Sequence, residues 1–96
     1  MRVISQKGMP VMTDIPYEKV AISQSMIEPN KIVAWDFFGG EDNIILMAEY
    51  SAPEKAEKAM QKLHDDYAYA WKIEHGLQTY YGDESIVFRF PQDAEL

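Results

Sequence analysis

The chain has 96 residues, a formal charge of −7, no cysteine and 47% apolar residues. That length supports one hydrophobic core rather than two, and the apolar share argues against a disordered chain. Missing cysteine removes disulfides and thiolate metal sites together, and the negative balance disfavours direct nucleic-acid binding, which needs clustered Lys and Arg.

The opening residues MRVISQKG lack the apolar centre of a signal peptide, and the longest apolar run, Ile44 to Ala48, is far too short to cross a bilayer. A protein of the reducing cytoplasm, neither secreted by that route nor embedded in a membrane, is therefore expected. Arg2 to Ser5 is a short β-prone run, closed by a Gln6-Lys7-Gly8 turn with glycine where positive φ is needed. Met9 to Thr13 has two readings: Val11 and Met12 extend a hairpin, or they sit in a loop that covers one end of the core.

Pro16 holds Ile15 extended, and Val20 to Gln24 alternates as a half-buried strand does. After a Glu28-Pro29-Asn30 turn, Lys31 to Phe38 is the clearest strand. Its pattern sets Val33, Trp35 and Phe37 on the buried face and Ala34 and Asp36 toward solvent. Gly39 to Asn43 has the composition of a hairpin loop, and Ile44 to Tyr50 reads as a central strand.

Ser51 to about Ile73 is the only long stretch with helical periodicity. Ser51 and Glu54 have capping-box spacing, Pro53 suits the first turn, and Gly76 offers a left-handed cap at the other end. At 100° per residue, Ala52, Ala56, Ala59, Met60, Leu63, Tyr67, Ala70 and Trp71 fall within about 60° of Ala56, one apolar stripe. Small residues lead it and aromatics follow, so the helix should lie close to a sheet at its start and stand off at its end. Met60, Leu63, Tyr67 and Trp71 are its expected core contribution, at about 1.5–3 kcal/mol each. Lys58, Gln61, Lys62, Asp65, Tyr69 and Lys72 occupy the opposite face.

Glu74 to Ser85 reads as a returning loop. In the last strand Ile86, Phe88 and Phe90 oppose Val87 and Arg89, and Gln92 to Leu96 reads as a polar tail. The expected fold is a single two-layer α+β domain: an antiparallel sheet of about four to six strands packed on one long helix. Its parts are a meander over 1–50, a helix over 51–75, a loop over 76–85, a final strand over 86–91 and the tail over 92–96.

No constellation carries chemistry well. His64 beside Asp65 and Asp66 lacks a nucleophile, and residues one or two apart on a helix diverge. His64 and His75 would stand about 16 Å apart on a continuous helix, too far to share an ion. Gly39-Gly40 is not followed by the lysine and hydroxyl of a phosphate loop. No catalytic residue, cofactor or metal is expected. The strongest candidate site is a protein-binding surface of Asp65, Tyr69, Tyr80, Tyr81, Asp83 and Glu84, because tyrosine gives rigid contact area and carboxylates orient a basic partner.

The segments MRVISQKG, DIPYE at 14–18, MAEYS at 47–51 and VFRFP at 87–91 resemble a group of small uncharacterised proteins carried by phages and mobile elements of Gram-positive bacteria. The resemblance spans both ends and the middle, departing at Met9 to Thr13 and 74–85. It implies provenance: an interaction protein in a bacterial host, with inhibition of a defence complex such as a CRISPR effector among the expectations. The partner would be a host or phage protein, a basic nucleic-acid-binding one included. The alternative is an assembly module that forms a homodimer.

Overall fold

Two three-stranded sheets share one core in the computed structural model, which describes residues 1–36, 44–76 and 87–96. The strands are β1 (Arg2–Ile4), β2 (Asp14–Pro16), β3 (Val20–Gln24), β4 (Lys31–Asp36), β5 (Ile44–Glu49) and β6 (Val87–Arg89). The helix α1 spans Pro53–Glu74. The fold is α+β, as the sequence predicts, but the single antiparallel sheet is not formed.

The local part of the meander does form: β3, β4 and β5 pair antiparallel in chain order. The other sheet, in the order β2-β1-β6, is mixed, because β1 pairs antiparallel with β2 and parallel with β6. Phe90 prolongs the parallel pairing by donating its amide to the Ile4 carbonyl at 3.2 Å. The sheets meet at a bulge. Ile32 pairs with Ala48 and Val33 with Leu46, so Met47 is left over, and its carbonyl accepts the Gln6 amide at 2.7 Å.

Gln6 finishes the junction. Its side chain is buried, accepts the Glu49 amide at 3.0 Å and donates to the Pro91 carbonyl at 3.0 Å, which also receives the Tyr50 hydroxyl at 2.8 Å. Burial raises the Tyr50 pKa, helped by Asp93 and Glu95, so this hydroxyl stays a donor throughout the physiological range.

On β4 the expected faces are exchanged. Ile32 and Ala34 are fully buried, whereas Val33 and Trp35 are only half-buried. Alanine is small enough to let α1 come close, and α1 lies against β3 and β4 with Ala56, Ala59 and Leu63 fully buried. Val33 and Trp35 alternate onto the other face of the strand. Phe37 and the Asp36 side chain lie outside the described residues.

The predicted stripe of α1 holds as far as Ala70 and fails at Trp71. Met60 and Tyr67 are partly buried and Ala70 is buried, but Trp71 is 43% exposed. Trp71 sits at the edge of the stripe, about 60° from Ala56, and stacks on His75 at 4.0 Å between centroids instead of entering the core. Gly76, at φ 71°, ends the helix as expected, with its amide on the Ile73 carbonyl. Gly8, at φ 97°, fills the predicted turn.

The helix start is also corrected. Ala52 is the N-cap and no side chain caps there, so the Ser51–Glu54 box does not form. Asp93 takes that place: its carboxylate accepts the Ser51 amide at 2.7 Å and reaches Lys55 Nζ at 3.2 Å. In the predicted box the Ser51 amide would bond the Glu54 carboxylate; Asp93 supplies that charge-assisted bond instead, at the positive end of the helix dipole. Gln92 to Leu96 is therefore not a free tail. It forms a 3-10 turn at Asp93–Glu95, ties Gln92 to the Lys7 carbonyl and packs Leu96 on the core. In the final strand Phe88 and Phe90 are buried while Val87 and Arg89 are exposed, as predicted.

Candidate functional surface

Two of the six predicted site residues, Asp65 and Tyr69, lie on α1. Tyr80, Tyr81, Asp83 and Glu84 lie outside the described residues, as do the predicted hairpin loop at 39–43 and all of the predicted 76–85 loop after Gly76. Asp65 is exposed and accepts a hydrogen bond from Gln61 Nε2 at 2.9 Å, one turn before it. Tyr69, one turn further on, is 41% exposed. The four-residue spacing places Gln61, Asp65 and Tyr69 in one row on the outer face of α1.

Asp66 flanks this row. Partial burial pushes its carboxyl pKa up, and neighbouring Asp65 adds to that while Lys62 opposes it. The two aspartates thus differ: Asp65 is a solvated acceptor already oriented by Gln61, and Asp66 is the carboxyl that desolvation disfavours as an anion. His64 is exposed beside them. His75 turns its Nδ1 to the Trp71 carbonyl at 2.8 Å, three turns away from His64 along α1. Among the described residues no group of three or more His, Asp or Glu side chains is placed to hold a metal ion.

Around α1 from this row, Tyr67 stacks on Tyr17 at 4.3 Å between centroids, with an interplanar angle of 30°. Tyr17 belongs to a 3-10 turn, Tyr17–Lys19, that leads into β3 and has no counterpart in the sequence expectations. The pair borders an open groove of about 420 Å³ lined by Glu18, Val20, Ala21 and Ile22. Burial raises the Tyr17 pKa, with Tyr67 and Glu18 contributing, so the Tyr17 ring stays a neutral phenol, and the stacked pair holds the end of α1 to the 3-10 turn. Tyr67 is thus a packing residue of the helix end, not of the sheet core.

The connection between β3 and β4 holds the predicted Glu28-Pro29-Asn30 turn and, before it, two apolar residues that the sequence expectations leave out. Met26 is fully exposed and Ile27 is 92% exposed there. Val11 and Met12, at 68% and 62%, are exposed as well, which removes the reading in which they cover the core. A pair of large apolar residues just before a Glu-Pro-Asn turn is the signal that could have marked Met26 and Ile27, since turns are normally polar.

No protein-family model, no curated protein and no solved structure matches the chain. Among the described residues no helix is long and apolar enough to cross a membrane.

Proposed function

We propose that the chain is a non-enzymatic binding protein that docks on a basic protein through the acidic and aromatic outer face of α1. The observation that supports this reading is the row Gln61, Asp65 and Tyr69, in which a half-exposed tyrosine follows an oriented carboxylate on a rigid helix. A tyrosine held in such a row loses little conformational entropy on contact, and the carboxylate favours a cationic neighbour. The charge of −7 would speed approach to a basic surface. Tyr80, Tyr81, Asp83 and Glu84 extend the proposed surface.

The resemblance to mobile-element proteins gives the partner's setting: a bacterial or phage protein that itself binds nucleic acid, a defence complex such as a CRISPR effector being the leading case. Carboxylates would then occupy phosphate sites. An affinity capture from host lysate, with and without nuclease, tests this. The expected result is a basic protein retained after nuclease treatment, with binding weakened and its salt dependence flattened by Asp65→Asn, Asp83→Asn and Glu84→Gln together. Unchanged affinity in that triple variant removes this surface from consideration.

One observation favours a second reading, a homodimer: β3 is an edge of its sheet, and an edge strand offers backbone groups to a second copy. Light scattering at micromolar concentration decides it, since a strict monomer contradicts it.

A further inference from the structure

The loop between β3 and β4 combines an exposed apolar tip with an ordered backbone. Its tip carries Met26, fully exposed, and Ile27, 92% exposed, yet its backbone is closely tied. Ser25 Oγ accepts the amides of Ile27 at 3.2 Å and Glu28 at 3.1 Å, the Ser25 amide donates to the Lys31 carbonyl at 2.9 Å, and the Lys31 amide donates to the Glu28 carbonyl at 2.9 Å. Gln24 Nε2 reaches the carbonyls of Pro29 at 2.9 Å and Pro53 at 3.3 Å, so the loop is fastened to the start of α1. Asn30 and Tyr50 exchange two further bonds across the same junction.

A pre-organised tip avoids most of the ordering cost of association. The residues around it select the partner. At the tip and its anchor Glu28 faces Lys31 at 2.6 Å and Asp93 faces Lys55 at 3.2 Å, which leaves Glu49, opposite Lys31 in the β4–β5 register, and Glu54, next to Pro53, as the excess charges among the described residues. The surround is therefore net negative. An anionic membrane surface is repelled by it, and so is a second copy of this acidic chain.

We propose that Met26 and Ile27 form an insertion knob for an apolar pocket rimmed by Lys or Arg on a partner protein. The knob shares with the helix-face reading the premise that the partner is a protein, but it uses different residues at the other end of α1, so the two fail separately. Apolar anchors seated in a desolvated pocket dominate interface energies, while the charged rim sets orientation.

The test is photocrosslinking of the full chain carrying Met26→p-benzoylphenylalanine in bacterial extract, with Glu57→p-benzoylphenylalanine as the background control. The expected result is one protein adduct, competed by unsubstituted chain, whose crosslinked peptide is apolar with Lys or Arg within a few residues. Ile27→Asp should reduce it at least about tenfold, with the thermal midpoint unchanged because the side chain is outside the core. No competed adduct, an adduct to a second copy of the chain, an adduct site without cations, or co-flotation with phosphatidylcholine vesicles each overturns the proposal. Tyr69→Ala separates the two surfaces. Capture lost with Tyr69→Ala and kept with Ile27→Asp overturns the knob, whereas the reverse keeps the knob and removes the helix face.

Discussion

From Ala52 to Leu63 and from Tyr67 to Glu74, the two halves of α1 present apolar side chains at the same helical spacing, but they are held by different means. The first half is anchored along its inner face: Ala56, Ala59 and Leu63 are fully buried, and Asp93 grips Ser51 and Lys55 at its start. The second half buries only Ala70 completely, stacks Tyr67 on Tyr17 and Trp71 on His75 at its margins, and leaves Tyr69 41% exposed. Periodicity decides which residues share a face, but the size of those residues decides how near the neighbouring layer can come. Alanines admit the sheet and aromatics stand away from it.

Leu63→Ala should therefore be the most damaging change to the helix, costing about 2–5 kcal/mol in denaturant unfolding, because nothing around a fully buried leucine is free to collapse into the space. A loss under about 1 kcal/mol would erase the distinction between the halves. Gln6→Ala comes next, at about 1–3 kcal/mol, since it strands the Glu49 amide and breaks the side-chain link between the sheets.

Asp93 gives a smaller effect with a pH signature. The Ser51 amide, with help from Lys55, holds its carboxyl below the ordinary aspartate range. A depressed folded-state pKa means that its stabilisation is present above the unfolded pKa and disappears as pH falls through the folded one. Asp93→Asn should lower the thermal midpoint at neutral pH and remove part of the decline in acid; parallel pH curves for the two proteins would contradict the clasp. Tyr69→Ala should be the mildest, within about 0.5 kcal/mol in stability, and should show its effect only in partner capture.

What the sequence revealed and what it hid follow the same division between local and distant. The β3-β4-β5 meander, the extent of α1, the glycine at its end and the buried Phe88 and Phe90 are set by alternation and turn chemistry within a few residues, and all were legible. The pairing of β1 with β6 joins the two ends of the chain, and no local pattern announces it. Ser51 and Glu54 have the right spacing for a cap, but a carboxylate from Asp93, more than forty residues away, displaces them. On β4, alternation identified two faces without saying which one a helix would cover, and the alanine at position 34 reversed the choice. The outer face of α1 could be drawn from helical geometry, so Asp65 and Tyr69 fall together as expected. Met26 and Ile27 were missed because a turn is read from its Pro and Asn, while exposure of its apolar neighbours depends on the bonds that hold the loop open.

Native-state amide hydrogen exchange along α1 tests the contrast between its halves most directly. The amides from Ala59 to His64 should exchange only through global unfolding, and those from Tyr69 to Glu74 at least about 100-fold faster through local opening. Uniform protection along the whole helix would contradict the division into a half that holds the fold and a half that opens locally.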